Sequence, residues 1–191
     1  MTQQRRRTAD GETAHTPVID APQRNCIRDP YPHTMLQEKY SWHRAHHLRK
    51  GRHSLPNHLY HLCSVTHART PIFDSLHHGR VVVNVLREMH EQRFAETLAF
   101  TVMPDHLHWL LSLGERLTLS QVAGLMRSRV TKGLRREQGL VGHVWQPGFL
   151  DRQLRPGENV FGVARYIVAN PLRAGLVRSV RDYSLWDVAW L

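Results

Sequence analysis

From residue 58 onward the apolar positions follow two alternating periods. His58–Thr66 (HLYHLCSVT) places Leu59, His61, Cys63 and Val65 on one side and Tyr60, Leu62 and Ser64 on the other. A period of two predicts a β-strand. Asp74 or Ser75 can cap a helix running to about Gln92, with Leu76, Val82, Val83, Leu86 and Met89 on one side. Phe94–Met103 reads as a second strand, Pro104-Asp105 as a tight turn and His106–Leu113 as a third strand. Thr118 and Gln121 fit a capping box. Val122, Met126, Val130 and Leu134 then recur every four residues as the apolar stripe of a helix. Phe149–Leu154 is a candidate fourth strand. Glu158–Asn170 reads as a last helix with Val160, Val163 and Ile167 inward, stopped by Pro171. The order β-α-β-β-α-β-α predicts an α+β domain: a ferredoxin-like antiparallel sheet with helices packed on one face and the other face open to a substrate.

Residues 1–55 differ. They are rich in Arg, His, Pro and Gln and show no sustained period. Arg5, Arg6 and Arg7 form a basic run, and Pro17, Pro22, Pro30 and Pro32 punctuate the stretch after it. The expectation is an irregular basic extension with a short helix near 35–49, ahead of one domain over 56–191. No apolar core comes after the arginines, so the start does not read as a secretory signal. No stretch approaches the roughly 20 apolar residues of a membrane span. Cys26 and Cys63 fit neither a zinc spacing nor a disulfide framework, which suits a reduced, cytoplasmic protein.

Charge adds a partner. Lys and Arg number 26 against 16 Asp and Glu, and Arg greatly outnumbers Lys. Arginine grips phosphate oxygens with a planar, two-pronged donor set, so nucleic acid is the expected polyanion. An Arg-rich proteome gives the same excess, so position has to decide which charges matter. Arg129, Lys132, Arg135 and Arg136 lie opposite the apolar stripe of the second helix, as a basic face or simply a solvated one.

The chemistry concentrates in two places. His106 and His108 lie two apart on a strand, so both imidazoles point to the same side while Leu107 points into the core. Neutral imidazole is a common metal ligand. Tyr166 and Asn170 lie four apart on the last helix, presenting a phenol and an amide together, and Gly162 one turn earlier leaves room beside them.

These pieces occur in order as MPDHLHWLL (103–111), WQPGF (145–149) and YIxxNPxRAGLV (166–177). In that order and spacing, from about residue 58 to 183, the chain resembles the REP-associated tyrosine transposases, single-tyrosine HUH enzymes of the IS200-like group. The resemblance implies an HUH endonuclease fold. It implies His106, His108 and Asn170 as ligands of Mg²⁺ or Mn²⁺, with no small-molecule cofactor, and Tyr166 as the nucleophile. The implied reaction is cleavage and transfer of single-stranded DNA beside REP-like palindromic hairpins through a 5′-phosphotyrosine, by a monomer or homodimer. Arg127, Arg129, Lys132, Arg135, Arg136, Arg152, Arg155 and Arg173 become candidate DNA contacts. Trp145, Phe149 and Trp109 become candidate stacking platforms, with core packing the competing role for Trp109. Two departures stand out: the long N-terminal extension, and a C-terminus, DYSLWDVAWL, in which the family's serine-rich segment is not recognisable.

Three other readings compete. A domesticated relative would bind hairpin DNA without cutting it. An RRM-like module would read RNA with aromatics on its central strands. A zinc hydrolase would use the histidines, but neither HExxH nor a Cys cluster is present.

Overall fold

The structure is a computed structural model and describes residues 54–189. The expected irregular extension with its short helix near 35–49 lies almost wholly outside the described residues.

Strands β1 (Leu59–Val65), β2 (Ala95–Met103), β3 (His106–Leu113), β4 (Leu150–Gln153) and β5 (Trp186–Val188) form one sheet in the order β4-β1-β3-β2-β5. Every pairing is antiparallel. Helices α1 (Leu76–Glu91) and α2 (Leu119–Gln138) join the strands; α3 (Val160–Val168) and the single turn α4 (Asn170–Arg173) come after β4. The predicted order holds, and β5 is added to it.

Alternation along the strands sorts the sheet into two faces. Leu62, Trp109 and Phe100 form one row across β1, β3 and β2. With Leu107, Leu111 and Val102 they pack against Val82, Leu86 and Met89 of α1 and Val122, Met126, Val130 and Leu134 of α2. Burying each such large side chain contributes about 2 kcal/mol, so this layer holds most of the fold's stability. The capping box of α2 is complete, with Thr118 Oγ1 accepting from Gln121 N–H and the Gln121 side chain accepting from Thr118 N–H. Helix α1 departs in one detail: its stripe is Val81, Val82, Val85, Leu86 and Met89, while Leu76 is exposed. Leu76 is the first helical residue and overhangs the edge of the layer.

The opposite face was expected to stay open, and it does not. Ala164 and Ile167 of α3, with Val160 and Val163 beside them, pack on Ala99 of β2, Leu110 of β3 and Leu154. The long helices cover one face as predicted, and this short amphipathic helix finds its apolar partner on the other.

The C-terminal segment closes the edge. Tyr183 Oη donates to Val102 O at 2.7 Å, and β5 pairs with β2 from Ala99 to Thr101. Leu185 sits so close to α1 that a Cβ on Gly79 would lie 2.3 Å from its Cδ1, so a larger residue there would make the Leu185 side chain shift.

Candidate active site

His106 and His108 point to the α3 side of the sheet. In register, His108 lies between Cys63 of β1 and Thr101 of β2, and His106 between Val65 and Met103. Both rings are buried, at 5% and 3% exposure. Their Nε2 atoms are 3.1 Å apart. Two nitrogens bound at about 2.1 Å in neighbouring octahedral positions would be about 3 Å apart, so the pair has the spacing that one divalent ion requires.

Each ring is also held from behind. His106 Nδ1 is 2.5 Å from Asp105 Oδ1, while the other carboxylate oxygen accepts from Arg69 Nη1 at 2.7 Å. His108 Nδ1 is 3.1 Å from Nε2 of His61, a buried residue of β1. An imidazole that offers Nε2 to a ligand must carry its proton on Nδ1, so these contacts are the natural supports for that tautomer. Burial raises the Asp105 carboxyl, but the His106 and Arg69 hydrogen bonds and charges outweigh it and hold it down at about 2. Burial, with the Arg152 charge adding to it, pushes His61 down to about 3, so its ring is neutral.

Arg69 reaches Asp105 from an unusual turn. Ala68 and Arg69 both have positive φ, 50° and 52°. The left-handed region costs a non-glycine residue of order 1 kcal/mol. The turn is braced by Thr66, whose hydroxyl hydrogen-bonds with Thr70 O at 2.7 Å and Asp105 O at 2.9 Å.

Tyr166 and Asn170 approach the same face from α3 and α4. Tyr166 packs against the cluster formed by Ala99, Leu110 and Ile167. The helix pauses at Ala169, and Pro171 restarts it. Proline has no N–H, so Ile167 O loses the partner that residue 171 would otherwise supply. Two side chains take its place: Thr101 Oγ1 donates at 2.8 Å and Asn170 Nδ2 at 3.0 Å. Asn170 Nδ2 also donates to Tyr166 O at 3.2 Å. With its nitrogen committed, Asn170 keeps its amide oxygen as an acceptor. Thr101 is the cross-strand neighbour of His108, so this bond fastens the tyrosine helix beside the histidines. Among the described residues no three His, Cys, Asp or Glu side chains are grouped to hold a metal. Gly162 is explained differently from the sequence reading: its N–H donates to the Asn159 cap, and a Cβ there would press on that side chain at 3.3 Å.

The candidate DNA contacts divide sharply. Arg173 is exposed, and its guanidinium lies 4.5 Å from the centre of the Tyr166 ring. Arg155 is exposed at the approach to α3. Arg152 instead holds the Glu158 carboxylate at 2.7 and 2.9 Å, directly across from His61. Helix α2 lies behind the sheet, and so do its basic residues. Arg127 donates to Gly148 O at 2.6 Å and also to Gln146 O, tying down the 145–149 segment. Arg129 reaches Gln92 and Glu88, Arg135 reaches Gly142 O, Arg136 pairs with Glu137, and Lys132 is exposed. Trp145 is buried against Phe73 and donates to Arg127 O at 3.1 Å; Phe149 is buried too. Trp109 is fully buried and donates to Thr97 Oγ1. All three aromatics are framework here, not exposed platforms. Sequence reasoning missed the supporting roles of His61, Asp105, Arg69 and Thr101. Only His61 left a trace, as a histidine alternating with Leu59, Cys63 and Val65 on one side of a predicted strand.

A buried histidine pair in the middle of an antiparallel sheet, with the helix that carries Tyr166 packed on the same face, defines an α+β protein. Comparison places it: the family model described as Transposase IS200 like matches residues 54–170, and the chain belongs to that family. It resembles the structure of a REP-associated tyrosine transposase bound to a REP hairpin, at 20% identity and a TM-score of 0.59, over 71% of this chain and 79% of that one. A putative transposase from Deinococcus radiodurans R1 is 17% identical over 69% of this chain and 95% of its own, with a TM-score of 0.45. No curated protein matches. No helix among the described residues is long and apolar enough to cross a membrane.

Proposed function

We propose that this transposase-family protein is a single-tyrosine nuclease that cuts and rejoins single-stranded DNA beside REP-like hairpins. The observation that carries the reading is the His106–His108 pair, 3.1 Å apart and supported from behind, on the sheet face that also bears Tyr166 and Asn170. The hairpin in the similar structure suggests the DNA class.

His106, His108 and Asn170 would hold Mg²⁺ or Mn²⁺. Such an ion would supply Lewis-acid polarisation of the scissile phosphate and charge stabilisation at the leaving oxygen. Tyr166 Oη attacks phosphorus as its phenolic proton is lost to solvent. A Tyr166–O–P bond forms and the P–O3′ bond breaks, leaving a 3′-hydroxyl and DNA joined to the protein through its 5′-phosphate. The Arg173 guanidinium lies 4.5 Å from the centre of the Tyr166 ring. The reverse attack by a 3′-hydroxyl reseals the strand and regenerates Tyr166. One phosphodiester-energy bond replaces another, so no nucleotide triphosphate is consumed. Arg155 and Arg173, exposed on the site side, are the first candidates for the DNA backbone.

The RNA-binding alternative is not favoured. The site face of β1 and β3 carries His61, Cys63, Val65, His106, His108 and Leu110, while Tyr60 and Trp109 point into the helix-side core. The deciding experiment uses a REP-like hairpin with single-stranded flanks, labelled at either end, with Mg²⁺, Mn²⁺ or EDTA. A shortened 5′-labelled strand and a protein-linked 3′-labelled strand, both lost in EDTA and in Tyr166→Phe, are expected. Hairpin binding without cleavage across a panel of flanks from the host's own repeats would favour the non-cutting reading instead.

A further inference from the structure

We propose that His61 is a positioning residue that selects the tautomer of His108 and thereby admits the metal. The inference rests on the functional reading of His106 and His108 as metal ligands. It begins from a conflict in the geometry. Two neutral imidazoles whose Nε2 lone pairs face each other at 3.1 Å repel unless something lies between them. Without an ion, a proton on one Nε2 can bridge the pair. With an ion, both lone pairs are needed and the bridging proton must go.

His106 resolves its half through a fixed acceptor. The Asp105 carboxylate can only accept, so His106 carries its proton on Nδ1 in either state. His108 leans on a partner that can play either part. Its Nδ1 meets Nε2 of His61 at 3.1 Å, and a neutral imidazole nitrogen either donates or accepts according to its own tautomer. In the metal-free form His61 Nε2–H donates to His108 Nδ1, and His108 Nε2–H donates to His106 Nε2. In the loaded form His108 Nδ1–H donates to His61 Nε2, and His61 holds its proton on Nδ1. Each ring remains neutral, and only the position of one proton on each of two rings changes.

The placement supports this assignment. His61 sits on β1 diagonally across from His108, whose direct partner is Cys63. Burial pushes the Cys63 thiol up to about 12, so it stays protonated and cannot act as the strong acceptor. The ring planes of His61 and His108 are tilted by 40°, with centroids 5.2 Å apart, which is an in-line contact rather than a stack.

The test measures Mn²⁺ binding by the full-length protein, in wild type, His61→Gln and His61→Phe, with metal-free thermal unfolding alongside. Glutamine can donate or accept through its amide; phenylalanine can do neither. Loss of a supporting contact behind a ligand histidine typically weakens metal binding about 10- to 100-fold. His61→Phe should weaken Mn²⁺ by that factor, and His61→Gln by no more than a few-fold. Long-range ¹H–¹⁵N spectra of wild type provide a readout that no variant can spoil by misfolding. His108 should carry its proton on Nε2 without metal and on Nδ1 with Mg²⁺. Wild-type Mn²⁺ binding that His61→Phe leaves intact, or a His108 tautomer that Mg²⁺ does not change, overturns the role of His61 alone. Wild type that neither binds Mn²⁺ nor cleaves overturns the functional reading together with it.

Discussion

His61 should make the metal-free protein acid-sensitive, and its surroundings set the size of the effect. The ring is buried, and its ordinary value of 6.5 is lowered to about 3 by burial and the Arg152 charge. Below pH 6.5 the unfolded chain takes up a proton that the folded chain refuses. The unfolded state then binds more protons, so stability falls as pH drops from about 6.5 and levels off below about 3. Each full pH unit inside that window costs about 1.4 kcal/mol for a single proton. Between pH 7 and 5 the loss from this residue alone is about 2 kcal/mol. Other groups titrate as well, so the comparison should be with His61→Gln, which keeps an amide in place and cannot ionise. Urea unfolding monitored by tryptophan fluorescence, in EDTA at fixed ionic strength, gives both stabilities at pH 7, 6 and 5. The wild type should lose about 2 kcal/mol more than the variant across that range, or about 4–8 °C in Tm for a domain of this size. A stability difference that stays constant with pH would refute the reasoning, because a native His61 that protonates near its ordinary value cannot be sealed from water.

Two further substitutions probe the braces of the site. Asp105→Ala should cost about 1–2 kcal/mol at neutral pH, a figure already discounted for the carboxylate's partial exposure. Because the folded value is depressed, that contribution is complete above about pH 4 and disappears towards pH 2, where the two unfolding curves should converge. Thr101→Val keeps the shape and removes the hydroxyl that donates to Ile167 O. It should cost about 1 kcal/mol in chemical denaturation and lower strand cleavage while leaving hairpin affinity unchanged; equal loss of binding and cleavage would mean that the bond only holds the fold.

The sequence by itself determined most of the elements and which candidate groups share a face. Both depend on local rules. A period of two puts His106 and His108 on one side of a strand wherever that strand lies, and a capping box at Thr118 starts a helix from contacts within one turn. The same locality places Asn170 one turn beyond Tyr166. What packs across the sheet was decided only by tertiary structure. Arg69 and Asp105 are 36 residues apart, His61 and His108 47, and Thr101 and Ile167 66. No period along the chain encodes such pairs, because they depend on strand order and register. The same reason explains where the basic residues went. Helical spacing correctly set Arg129, Lys132 and Arg136 opposite an apolar stripe, but which face of the sheet that stripe would cover was a choice between layers. The large apolar surface of Leu62, Trp109, Phe100 and Leu107 drew the long amphipathic helices. The smaller patch around Ala99 and Leu110 was left for the short helix that carries the tyrosine.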